Sequence, residues 1–186
     1  MGLSGGTRLA ASDGTLVLRA LEGDQQAFGE LYDRYAALVR AICKDSTGDF
    51  TRAQDLAQEV FLRAYAKLAD LRDRERFGPW LVSIARFVGR EFRRGAYRDR
   101  HVLVGLAPEE TPSELPKEDE RLGDLPIAMA RLSERERLAL NAYYLQEQNA
   151  AQASKTVGVS RSTLYRLLAE AREKLERFIE EREEKK

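Results

Sequence analysis

The chain has 186 residues, a third of them charged, with 31 basic against 31 acidic side chains and a formal net charge of zero. That balance excludes a uniformly basic nucleic-acid coat, so binding to a polyanion has to come from local patches. One cysteine, Cys43, and one histidine, His101, exclude a disulfide framework and leave no zinc-ligand spacing, so no metal or cofactor is expected.

Residues 1–14 are small and polar, expected to be mobile, and lack the apolar run of a signal peptide. No later segment reaches the roughly 18 apolar residues of a membrane span, so a cytoplasmic protein without membrane insertion is expected. From residue 15 to 101 helical signals dominate without a competing strand pattern. A helix opens at Gly23-Asp24, with Phe28, Leu31, Tyr35, Leu38, Val39 and Ile42 recurring at three- and four-residue steps, and Cys43 beside them reads as a small buried hydrophobe. After a turn at Ser46-Thr47-Gly48, Thr51 and Gln54 read as a capping box for a second long helix, whose stripe is Ala53, Leu56, Ala57, Val60, Phe61, Ala64 and Leu68. The charged connector LRDRERFGP follows, and Pro79 is expected at the first position of a helix that turns Trp80, Leu81, Ile84, Ala85 and Val88 inward. That helix ends in an arginine run, Arg86, Arg90, Arg93, Arg94, Arg98 and Arg100, faced only by Glu91 and Asp99. A charge run is ordinarily a solvated face, yet arginine here outnumbers lysine, and the guanidinium fork matches phosphate geometry.

Over residues 102–124 the composition turns to proline and acid, which reads as a flexible linker between two helical domains; four of the five prolines lie between Leu106 and Pro126. The second domain, 125–179, carries a capping box at Ser133 and Glu136, followed by Leu138, Ala142 and Leu145 on one face. Within it, Leu132 to Arg172 outlines a helix-turn-helix: Gly158 suits a left-handed helix end, Ser160 can cap the next helix, and Leu164, Leu167, Leu168, Ala171 and Leu175 repeat at helical spacing. Arg161, Ser162, Tyr165 and Arg166 then share the opposite side, where a recognition helix meets DNA. Residues 180–186 are expected to be a fraying charged tail.

This all-α arrangement of two small helical domains resembles the bacterial sigma factors of the extracytoplasmic-function group. The resemblance rests on DLAQEVFLRAYAKL (Asp55 to Leu68), FGPWLVSIARFVGREFRR (Phe77 to Arg94), LSERERLAL and the Gly158-Val159-Ser160 turn. It implies a promoter-specificity subunit without catalytic chemistry. Asp55, Gln58, Glu59 and Phe61 would dock on the beta-prime clamp helices of core RNA polymerase, and the second domain on its beta flap. Without the resemblance, Asp55 and Glu59 read as ordinary exposed carboxylates. The resemblance also implies that Arg72, Arg74, Arg76, Phe77, Trp80, Arg86, Phe87, Arg90, Arg93 and Arg94 handle the minus-ten element in melted DNA, with Phe77 and Trp80 as candidate walls of a base pocket. Trp80 reads as core in preference to wall. Ser160, Arg161, Ser162, Thr163, Tyr165 and Arg166 would read the minus-35 element as duplex, Arg161 and Arg166 by contacts to guanine. An anti-sigma partner is expected.

Three departures from the family pattern stand out. Phe87 replaces a common asparagine, Pro79 a small or polar residue, and Ser154 and Thr156 replace apolar positions, leaving the first helix of the helix-turn-helix thinly apolar. The alternative is a stand-alone helix-turn-helix regulator that binds duplex DNA as a dimer.

Overall fold

The computed structural model describes residues 11–103, 125–146 and 149–184, with the side chains of 98–103 excepted. Residues 1–10 of the expected mobile N-terminus and 104–124 of the expected linker lie outside the described residues, as do the side chains of Arg98, Arg100 and His101; Asp13 and Gly14 are instead the start of the first helix, and 102–103 the end of the fourth. The described residues form eight α-helices and no strand: α1 (Asp13–Leu21), α2 (Gln25–Thr47), α3 (Phe50–Ala66), α4 (Phe77–Leu103), α5 (Leu125–Ala130), α6 (Glu134–Leu145), α7 (Ala150–Val157) and α8 (Arg161–Glu183). Two 3-10 turns, Leu68–Asp70 and Arg74–Arg76, join α3 to α4. The all-α expectation holds, and no described helix is long and apolar enough to cross a membrane.

α2 is the centre of the first unit, with α1, α3 and α4 packed around it. Its apolar stripe decides this: Leu31, Tyr35 and Val39 are fully buried and Leu38 nearly so, each fully buried aliphatic side chain contributing about 1.5–3 kcal/mol. Asp24 starts the helix by accepting from the backbone of Gln26 and Ala27, and Gly48 ends it at φ +68°. Cys43 is fully buried, and burial, with the charge of Glu59 adding to it, pushes its thiol up to about 12. It is the inert small hydrophobe its context suggested.

The start of α3 differs from expectation. Asp49 is the cap, accepting from Arg52 N at 2.7 Å, so the helix begins before Thr51 and the Thr51–Gln54 capping box does not form. α4 likewise begins at Phe77, which puts Pro79 third in the helix and not first. The proline is tolerated because the first four N–H groups of a helix have no intrahelical acceptor.

In the second unit α6, α7 and α8 pack together, and the expected capping box is present. Ser133 Oγ accepts from Glu136 N, and the Glu136 carboxylate accepts from Ser133 N at 2.7 Å. Leu138 and Ala142 are buried, but Leu145, expected on the same face, is 42% exposed at the helix end. Gly158, at φ +77°, ends α7, and Val159 N bonds back to Ser154 O, so the glycine supplies the left-handed residue the turn requires. α8 runs to Glu183, past the expected end near Ile179. Phe178 is 4% exposed with the Arg131 guanidinium 4.7 Å from its ring centre, and Arg131 pairs with Glu181 at 2.7 Å. A partner in the turn after α5, unseen from local sequence, thus stabilises the start of what read as a fraying tail.

Glu136 is also a buried carboxylate, 4% exposed, that accepts from Lys174 Nζ at 2.7 and 2.9 Å. Burial pushes its pKa up, but the hydrogen bonds from Lys174 and Ser133 outweigh that and hold it below its ordinary 4.5. A lowered folded-state value means the native chain binds fewer protons than the unfolded one. The stabilisation is therefore present above the unfolded value and is lost as pH falls through the folded one. Glu136→Gln is expected to cost about 1–3 kcal/mol at neutral pH and to flatten the loss of thermal stability on acidification. Melting curves of both proteins at neutral and acid pH check this, and equal pH slopes would refute it.

The two units share one apolar cluster in which Leu138, Ala139, Ala142, Ala153, Leu164 and Leu167 continue the core of α2–α4. α7 lies against α4, and α6 against α2.

Candidate nucleic-acid interface

α3 turns its apolar stripe inward, which leaves a polar face outward. Asp55 and Gln58 are exposed and Glu59 is half-buried. Phe61 does not belong to this face. It is 5% exposed with its ring centre 4.5 Å from that of Tyr32, so it supports the helix from beneath and offers nothing to a partner. Glu59 accepts from Arg63 at 2.5 Å, and Arg63 also donates to Glu91 on α4 at 2.5 Å, which pins α3 to α4. Sequence reading missed two members of the face, Leu62 at 71% and Tyr65 at 50% exposure. With Asp55 and Gln58 they fall at helical spacing on one side. Their signal was visible: an aliphatic and an aromatic residue on the polar side of an amphipathic helix, Tyr65 packing only edge-on against the Phe28 ring at 4.9 Å and staying half exposed.

The connector to α4 is held in shape by Asp73, which accepts from Glu75 N at 3.2 Å, and by Glu75, which accepts from Ser12 Oγ at 2.7 Å. Arg72, Arg74 and Arg76 project from it and are exposed. The two candidate walls of a base pocket divide. Phe77 is fully buried, its ring 5.5 Å from that of Tyr35, so it is core in this conformation; Trp80 is half-buried and leans on Phe77 at 5.9 Å. Phe77 therefore cannot receive a base unless the packing above it changes. Further along α4, Phe87 is 47% exposed, and Arg90, Arg93 and Arg94 are exposed around it. Arg86 is half-buried and donates to Glu134 of α6 at 2.7 Å. An exposed aromatic among arginines is the combination that stacks on bases while neutralising their phosphates.

In the helix-turn-helix, the buried side of α8 is Leu164, Leu167 and Ala171, with Leu168 and Leu175 half-buried. Arg161, Ser162, Tyr165 and Arg166 are exposed on the other side, and Thr163 is half-buried. Ser160 caps α8 by accepting from Thr163 N at 3.2 Å, and its hydroxyl lies 2.9 Å from those of Ser162 and Thr163. The helix N-terminus with three hydroxyls suits a backbone phosphate. Arg166 pairs with Glu170 at 2.8 Å. An exposed pair of this kind contributes little, so the guanidinium is easily released to a base edge.

The family model for Sigma-70 region 2 matches residues 31–99, and that for Sigma-70 region 4 matches residues 128–177. The chain is 33% identical over 174 residues to the probable RNA polymerase sigma factor RfaY of Xanthomonas campestris pv. campestris, covering 86% of this chain but 43% of that protein's length. It is 31% identical over 140 residues to the ECF RNA polymerase sigma factor SigL of Mycobacterium tuberculosis, covering 72% of this chain and 78% of the relative. Among solved structures it is similar in fold to CnrH, determined in complex with the cytosolic domain of CnrY, with a TM-score of 0.61 at 22% identity over 91% of this chain and 98% of that one.

Proposed function

Because the chain belongs to the extracytoplasmic-function RNA polymerase sigma factors, we propose that it is a promoter-specificity subunit that recruits core RNA polymerase and begins transcription by melting DNA. The observation that carries this reading is that one chain pairs an open recognition helix with a second, arginine-lined helix bearing an exposed aromatic, Phe87. One surface suits duplex DNA and the other suits separated strands, a combination a simple duplex-binding regulator does not need.

The roles divide by surface. Asp55, Gln58, Glu59, Leu62 and Tyr65 meet the beta-prime clamp helices, while the second unit meets the beta flap. Arg72, Arg74 and Arg76 hold minus-ten phosphates. Phe87 stacks on an unpaired base where relatives use a polar side chain, so minus-ten preference in this protein rests more on stacking than on hydrogen-bond readout. Arg161 and Arg166 read the minus-35 element, each bidentate contact to guanine contributing about 1–3 kcal/mol of discrimination. No catalytic group is needed, because polymerase carries out the chemistry, and the protein acts in the cytoplasm where the chromosome and polymerase are. The acidic linker tethers the two units, and an anti-sigma protein restrains the whole by covering the α3 face.

The test is transcription from a pooled promoter library by sigma-free core polymerase, with and without the protein. Defined start sites that require the protein are expected. No protein-dependent transcript, together with tight duplex binding by the protein alone as a dimer, would overturn the reading in favour of a stand-alone regulator.

A further inference from the structure

α4 carries its DNA-facing residues as a stripe. Phe87, Glu91 and Arg94 stand four and then three residues apart, so they share one side of the helix, with Arg90 beside them, and all four are exposed. Glu91 is the exception in charge. From Phe77 to Tyr97 it is the one acidic residue of the helix, and it stands among Arg86, Arg90, Arg93 and Arg94. An open carboxylate there would repel the phosphates that the arginines attract, since charges are felt across a Debye length of about 10 Å at 0.1 M salt.

It is not open. Arg63 reaches over from α3, its Nη1 donating to Glu91 Oε2 at 2.5 Å and its Nη2 to Glu59 Oε1 at 2.5 Å. The Arg63 and Glu91 side chains are 37% and 44% exposed, and a pair so open to water contributes little to stability. Its larger effect is on the field that α4 presents. The connector repeats the arrangement. Glu75 lies between Arg74 and Arg76, and its carboxylate accepts from Ser12 Oγ at 2.7 Å and rests on the start of α1, where a Cβ on Gly14 would stand 2.3 Å from its Oε1. A carboxylate is favoured at a helix N-terminus, so this negative charge too has its partner outside the arginine track. We propose that Arg63 is a positioning residue for strand binding: by holding the Glu91 carboxylate it silences the negative charge on the Phe87 stripe, so that separated DNA meets an aromatic ring and guanidinium groups. The proposal rests on the reading of α4 as the strand-binding helix and does not need the polymerase-docking one.

The full chain and its variants are titrated with a fluorescent single-stranded DNA of random sequence, about 20 nucleotides long, at about 50 and 150 mM salt. Arg63→Met keeps an unbranched stem but frees Glu91. It is expected to weaken binding about 3–10-fold at the lower salt and to flatten the log–log salt dependence by about 0.7, the counterion release of one phosphate contact on a single strand. Glu91→Gln removes the repulsion and is expected to bind as tightly as the parent or more tightly, and Arg63→Lys to bind like the parent. Arg63→Met combined with Glu91→Gln should return to within about twofold of the parent, because the carboxylate through which Arg63 acts is gone. If the pair merely fastens α3 to α4, both single substitutions cut the same link and weaken binding alike, which overturns the proposal. If Arg63 itself grips a phosphate, the loss persists in the double variant, which overturns it as well. A parent that binds no single strand overturns it outright. Melting temperatures confirm that the variants are folded. Strand binding with the expected signs but no protein-dependent transcript from core polymerase would strike the promoter-subunit reading and leave the role of Arg63 standing.

Discussion

Reversing two charges on α3, Asp55→Arg together with Glu59→Arg, is expected to reduce protein-dependent transcription by about 100-fold or more while leaving the fold intact. Opposed like charges or unpaired charges in a docked interface cost about 2–5 kcal/mol or more at each position, and each 1.4 kcal/mol is tenfold in affinity. Folding is spared because Asp55 is exposed and Glu59 half-buried, and because Arg63 keeps its second partner, Glu91. Transcription assays, with circular dichroism as the folding control, decide the matter. A folded double variant that transcribes like the parent would show that this face does not dock on polymerase. Leu62→Ala offers an independent check, since Leu62 is 71% exposed and open to a partner.

Phe77→Ala is expected to destabilise the protein by about 3–5 kcal/mol, the range for deleting a buried aromatic and leaving a cavity. Phe77 is fully buried, in ring contact with both Tyr35 and Trp80. Its loss would loosen the start of α4 and the connector that carries Arg72, Arg74 and Arg76. Phe87→Ala, at a position 47% exposed, should change stability by about 0.5 kcal/mol or less yet weaken promoter opening. Urea unfolding of the two variants beside an assay of strand separation distinguishes the roles. If Phe77→Ala unfolds at the same urea concentration as the parent, Phe77 is not the core residue its burial indicates.

The contrast between these two phenylalanines shows where reading from sequence stops. Both stand in the stretch that carries the resemblance, and both are aromatic residues beside arginines. Helical periodicity placed Leu81, Ala85 and Val88 on the inner face of α4, and all three are buried there. Phe77 sits at the helix's first residue, where the direction of the chain is set by the preceding 3-10 turn, and a period cannot be read from one end. Phe61 gave a similar error: its motif suggested an outward role, while its place in the α3 stripe, which the same sequence displayed, sends it to the core. The Thr51–Gln54 capping pattern failed because Asp49, two residues earlier, is an equally good cap that admits two more residues to the helix. Where the local chemistry had no competitor, as at Ser133–Glu136 and Gly158-Val159-Ser160, it was realised as read.

The sequence by itself determined the all-helical class, the inward stripes of α2, α3 and α8, the caps of the second unit and the helix-turn-helix, because each depends on residues within one or two turns of one another. Only the tertiary structure decided which exposed residues share a face, why Leu62 and Tyr65 join Asp55, and how Arg131 extends α8 past its expected end. It also decided how Thr156, and beside it Gln152, are accommodated on a thinly apolar helix, whereas the Ser154 hydroxyl is satisfied locally by Ala151 O. Gln152 and Thr156 meet groups on α1, α2 and α4 more than a hundred or nearly eighty residues away in the chain. Such long-range pairings leave no periodic trace in sequence, since their partners are set by how the two units pack and not by the local spacing of side chains.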